Sequence, residues 1–97
     1  MFLIDFQFVD VNALTEELTQ AHRSHLSSAY EDGELLFGGP KVPRSGGIIL
    51  SMHKEKEKLE ALLNADPMVK AQQARYEITE FKPVFASPAQ KQVIALT

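Results

Sequence analysis

The chain has no cysteine and no tryptophan among its 97 residues. Without a thiol there is no disulfide, no thiolate nucleophile and no thiolate metal site. Chemistry, if any, has to come from histidines, carboxylates, hydroxyls or cations. Glycine and proline are sparse at five each, and no repeat or low-complexity stretch occurs. No apolar run approaches the roughly 18 residues of a membrane span. Positive charge is in short supply: ten Lys and Arg face thirteen Asp and Glu, a formal charge of −3. That argues against a generally basic nucleic-acid surface. The opening Met1-Phe2-Leu3-Ile4-Asp5 has no basic leader and loses its apolar character at Asp5, so no secretory signal is read and a cytoplasmic location is expected. What is present is ordinary for a globular domain, with 44% apolar and 24% charged residues.

Patterning organises the chain. Phe2, Ile4, Phe6 and Phe8 alternate with Leu3, Asp5, Gln7 and Val9, the period of a strand with one strongly apolar face. Asn12 is the expected cap of a helix running from Ala13 to about Glu31, with Leu14, Leu18, Ala21, His25 and Ala29 on one stripe. Leu18, His22, Leu26 and Tyr30 form the adjacent stripe, and Gly33 is expected as a left-handed stop. Leu35-Leu36-Phe37 and Ile48-Ile49-Leu50 read as short strands joined too closely for a parallel crossover, hence as a hairpin. A second helix is expected over Lys54–Ala65, a short helical restart at Asp66-Pro67, and a last strand marked by Tyr76, Ile78 and Phe81. Phe81 breaks the parity of the other two, which suggests a bulge or a strand covered on both faces. The order βαββαβ is that of an α+β, ferredoxin-like split sandwich with both helices on one face of an antiparallel sheet. We expect that domain to span residues 1–85. Residues 86–97, with Val93, Ile94 and Leu96, form a tail available for an added dimer or oligomer contact. The uncovered sheet face implies pairing with a second copy.

Few residues stand out chemically. His25 occupies a place in the apolar arc where leucine is usual; it is either a hydrogen-bonded packing residue or a general acid–base. His22, on the same side, completes a His-x-x-His pair, but two ligands do not make a metal site and none is expected. Asp66 directly before Pro67 is explained as a helix cap, a role compatible with orienting a histidine through its second oxygen. Gly38-Gly39-Pro40 lacks the spacing of a dinucleotide fingerprint and either turns the chain or lines a small pocket. Arg44 and Lys41 lie in the following loop, free to meet an anion or merely solvated. Arg23 is expected to point off the apolar arc. Asp5 and Gln7 are polar residues on a sheet face that would line an interior.

Taken in order, His25-Leu26, Gly33-Glu34-Leu35-Leu36, Gly38-Gly39-Pro40, Ala65-Asp66-Pro67 and Phe81-Lys82-Pro83-Val84 resemble the YciI-related family, the YCII domain of the dimeric α+β barrel superfamily. The resemblance implies a homodimer in which two sheets face each other as a barrel. It also implies a cleft holding His25 and Asp66 as the active pair, with no cofactor. One related group removes chloride from a chlorinated hydroxyhydroquinone, and muconolactone isomerases share the fold. Members commonly carry an arginine three residues before the histidine; here that position is His22, and Arg23 is displaced by one residue.

Two functions are therefore expected. The first is a cofactor-independent enzyme of isomerase, lyase or dehydrochlorinase type acting on a small cyclic oxygenated substrate. His25 and Asp66 would transfer protons, and His22, Asp5, Gln7, Gly38, Gly39 and Arg44 would bind substrate. The alternative is a noncatalytic dimeric module that binds a small ligand, with haem as a remote variant. Neither reading involves nucleic acid or a membrane.

Overall fold

The computed structural model describes residues 1–95; Leu96, counted above with the tail, lies outside the described residues. The elements are β1 (Phe2–Phe8), α1 (Glu16–Glu31), β2 (Leu35–Pro40), β3 (Gly46–Ser51), α2 (Lys56–Asn64), α3 (Pro67–Lys70), β4 (Ala74–Glu80) and α4 (Lys91–Ala95). The four strands form one sheet in the order β2-β3-β1-β4, every pair antiparallel. This is the ferredoxin-like α+β arrangement, with β1 central and β2 and β4 at the edges. No helix among the described residues is long and apolar enough to cross a membrane.

The period-two pattern of β1 decides which face is covered. Phe2, Ile4 and Phe6 are buried against the helices together with Ile49 of β3 and Ala74 of β4. From the helix side, Leu26 and Ala29 of α1, Leu59 and Leu63 of α2 and Met68 of α3 complete the core. The alternate residues lie on the opposite face, where Leu3 pairs with Leu50 and Asp5 with Ile48. Phe37 pairs with Leu50 on that face and is 63% exposed.

Several boundaries differ from the sequence expectation for identifiable reasons. α1 starts at Glu16 because Thr15, not Asn12, caps it: the Thr15 hydroxyl accepts the Leu18 N–H at 3.0 Å. Asp10 instead closes a separate 3₁₀ turn over Val11–Ala13, accepting from the Asn12 N–H. α2 begins two residues late, at Lys56. β2 runs on through Gly38-Gly39-Pro40, since these pair with Ile49, Ile48 and Gly47. The bulge falls in β2 between Leu35 and Phe37, not in β4. β4 ends at Glu80, so Phe81 never had to keep its parity; it exchanges backbone bonds with Met1. Gly33 is left-handed as expected, with φ +79°. The tail forms a 3₁₀ turn at Pro88–Gln90 and then α4, and adds no strand among the described residues.

A polar clasp ties the far end of the hairpin to the end of α1. The Ser51 hydroxyl lies 2.6 Å from His53 Nδ1, and His53 Nε2 lies 3.1 Å from Glu34 Oε2. The His53 backbone N–H also donates to Ser51 Oγ at 3.0 Å. With the proton on Nε2, the Ser51 O–H donates to Nδ1 and Nε2–H donates to Glu34, so both ring nitrogens of the nearly buried His53 side chain are satisfied.

Backbone approach at the β1–β3 crossing demands glycine at one position. A Cβ at Gly46 would drive into the Phe6 carbonyl, whereas one at Gly39 would meet nothing within 4 Å. Gly46→Ala is therefore expected to lower unfolding free energy by about 1–3 kcal/mol. Gly39→Ala should change it by no more than about 0.5 kcal/mol. Paired urea titrations of the two variants check both values.

Candidate active site

The site is assembled where α1 passes the start of α3. Asp66 is fully buried, and its two oxygens have different tasks. Oδ1 accepts the Met68 N–H at 2.8 Å, capping α3, with Pro67 at the first helical position. Oδ2 lies 2.5 Å from His22 Nδ1. A buried carboxylate accepting two hydrogen bonds, one of them from an imidazole, is a satisfied group rather than an orphan charge. Because a carboxylate only accepts, the proton of this hydrogen bond is carried by Nδ1, and Nε2 is the ring nitrogen left over. Nε2 has no protein partner among the described residues, and the edge of the ring meets Phe6 with centroids 5.7 Å apart and planes at 82°.

The expected pairing of His25 with Asp66 is thus made by His22 instead. Three residues along an α-helix leave two side chains about 60° apart around the axis. That offset aims His22 at α3 and His25 at the end of α2. His25 Nε2 lies 2.7 Å from the Leu62 carbonyl oxygen, so its N–H donates there and fastens α1 to α2.

His22 borders a cavity of about 620 Å³ between α1 and the β2–β3 half of the sheet. Phe6, Phe8, Leu26, Ile49 and Met68 make its apolar walls. Gly38, Gly39 and Arg44 line it, and so does Arg23, which is exposed and off the buried arc yet borders the cavity. The reason is local: Thr19, Arg23, Leu26 and Tyr30 follow each other at helical spacing along the side of α1 that borders the cavity. The volume is that of a small-molecule site. Asp5 and Gln7 are not part of it. Both alternate with the core residues of β1 and lie on the open sheet face, where Lys41 Nζ approaches Asp5 Oδ1 at 2.6 Å. No group of three or more His, Asp or Glu suited to a metal occurs among the described residues.

Tyr30 was read from sequence only as part of an apolar stripe, yet it lines the cavity. Its hydroxyl occupies the space that a side chain at Gly38 would need, 2.6 Å from the position of a Cβ there. Nothing in the local sequence announces this contact, which exists only once β2 lies against α1. Burial raises the Tyr30 pKa above its ordinary 10.0, so the phenol is a neutral donor at physiological pH. Tyr76 is raised as well, by burial and then by the charge of Glu60, against a lowering by its 2.7 Å hydrogen bond to Asn64. Both folded-state values exceed the unfolded one. The stability they contribute is therefore full below about pH 10 and is lost as pH rises through the folded-state values. With two tyrosines and no tryptophan, a near-ultraviolet absorbance titration is expected to show both phenols ionising later than free tyrosine. Tyr30→Phe should remove one of the two late steps.

With this geometry in hand, comparison with known proteins is informative. The YCII-related domain family matches residues 5–82. Among solved structures, the chain is similar to 5-chloro-2-hydroxyhydroquinone dehydrochlorinase from Burkholderia phenoliruptrix AC1100, solved in complex with 2,5-dihydroxybenzoquinone. The TM-score is 0.68 at 15% sequence identity, covering 84% of this chain and 94% of that one. No curated protein matches. The structural likeness supports the same fold, and the family match spans most of the sequence from β1 to just past the end of β4: the chain belongs to the YCII-related domain family.

Proposed function

We propose that this protein is a cofactor-independent enzyme that moves protons on a small cyclic oxygenated substrate, with His22 as the acid–base and Asp66 as its orienting partner. The observation that carries the reading is the 2.5 Å contact between His22 Nδ1 and Asp66 Oδ2 beside a cavity of about 620 Å³. A protonated Nδ1 held by a buried carboxylate fixes the tautomer and leaves Nε2 as the basic atom; the same carboxylate stabilises the imidazolium once Nε2 has taken a proton. Dehydrochlorination, the reaction named for the structural neighbour, fits this arrangement. Nε2 would accept a substrate proton, the electron pair left behind would form a new π bond, and chloride would leave with the electrons of its bond to carbon. The neutral Tyr30 phenol is suited to donate a hydrogen bond to a substrate oxygen as charge develops there. His25, engaged with Leu62, holds the helices together and has no step in this scheme.

The same proposal includes a homodimer. Leu3, Phe37, Ile48 and Leu50 share the open face of the sheet, and a second copy facing it would close the barrel implied by family membership.

Two assays test the function: chloride release from 5-chloro-2-hydroxyhydroquinone, and ring-proton exchange of 2,5-dihydroxybenzoquinone in deuterated water followed by NMR. His22→Gln is expected to lower whichever rate the wild type shows by about 10²–10⁴-fold. His25→Gln should stay within a few fold of wild type. Equal rates for His22→Gln and wild type, or no rate above buffer in either assay, would overturn the proposal.

A further inference from the structure

We infer that the cavity beside His22 selects a planar substrate bearing an ionised oxygen, and that Arg23 and Arg44 are the residues that recognise it. The inference rests on the reading of this cavity as a substrate site and names the class of molecule it takes. Anionic residues outnumber cationic ones in this chain, by thirteen to ten. Even so, two of the cations border the apolar cavity beside His22. Among the described residues neither guanidinium has a carboxylate within ion-pair distance, although Lys41, Lys58, His22 and His53 all do. Glu31 also lines the cavity but pairs with neither. The lining is therefore net positive and its cations are unspent.

The two arginines come from different elements, so their presence at one cavity is a property of the fold. Arg23 projects from α1, one residue after His22. Arg44 belongs to the loop between β2 and β3 and lies over the Phe8 ring, with Cζ 5.2 Å from its centroid. Stacking on an aromatic face holds a guanidinium by its plane and leaves its in-plane N–H groups free. Those N–H groups form the fork that matches a carboxylate, or two oxygens sharing one charge across a ring. The walls made by Phe6, Phe8, Ile49 and Met68 suit the apolar faces of a flat ring. A flat ring with a charged oxygen edge satisfies both surfaces at once.

The test is a set of NMR titrations of the full chain with three probes of similar size: benzoate, 4-nitrophenolate at a pH where it is ionised, and neutral benzamide. At least one of the two anions should bind about tenfold or more tightly than benzamide, and the Arg Nε–H signals should shift on binding. Which anion leads tells whether the recognised charge sits beside the ring or on it. Arg44→Gln and Arg23→Gln should each remove most of that preference while leaving benzamide affinity unchanged. Raising the ionic strength should weaken only the anions. Equal affinity for charged and neutral probes, binding of none, or anion preference intact in both variants would overturn the inference. Its failure is separable from that of the proton-transfer reading. His22→Gln should keep the anion preference while losing turnover, so turnover without anion preference sinks only the present inference. Anion preference with turnover independent of His22 sinks only the other.

Discussion

The arrangement of the site depends on one carboxylate serving two elements. Asp66 Oδ1 starts α3 by accepting the Met68 N–H, and Oδ2 reaches across to the His22 ring on α1. The cap is local in sequence and forms with the turn. The bond to His22 spans 44 residues and forms only when α1 is packed. Burying a carboxylate costs several kcal/mol unless its lone pairs are used, so packing of α1 and ionisation of Asp66 are linked. The group that makes the histidine useful thus also holds the helix layer in register.

The division of the sheet into two unlike faces explains why the cavity lies where it does. On the helix side, β1 offers Phe2, Ile4 and Phe6, and these pack under α1, α2 and α3. Toward the β2–β3 edge the core-face positions shrink to glycine at 38 and 47, so α1 is not met by side chains there and a space is left. At Gly38 the missing side chain is filled by the Tyr30 hydroxyl, which places a polar group in an otherwise apolar wall. The opposite face keeps Leu3, Ile48 and Leu50 only half covered, and Phe37 exposed.

Much of this was legible in the residues. The period of β1, the hairpin and the βαββαβ order give the ferredoxin-like fold, because patterning over seven-residue strands and a 16-residue helix is strong. Asp66 was legible too, since Asp-Pro at a helix start has a local mechanism. What was not legible depended on azimuth. His22 and His25 share a broad arc, and the hydrophobic pattern does not tell which of two neighbours one-sixth of a turn apart meets α3. The order of motifs pointed to His25; packing gives the contact to His22 and assigns His25 to the Leu62 carbonyl. Asp5 and Gln7 lie on the sheet face opposite the core, as alternation implies, and so do not border the cavity beside His22. His53 drew no notice, because its partners Ser51 and Glu34 come together only through the pairing of β2 with β3.

The exchange of roles between the two histidines bears on the position where the family resemblance leads one to expect an arginine. Here that position is His22, and it is the residue joined to Asp66. An arginine there would place a permanent cation against the buried carboxylate and leave no atom able to take a proton near neutral pH. A histidine gives the same carboxylate a hydrogen-bond donor and keeps a second ring nitrogen on the far side. Any charge needed to hold an anion then has to come from elsewhere. Arg23 and Arg44 border the same cavity without a carboxylate partner among the described residues. In the proposed scheme the proton-transfer group and the charge-holding groups are thus separate side chains of one cavity.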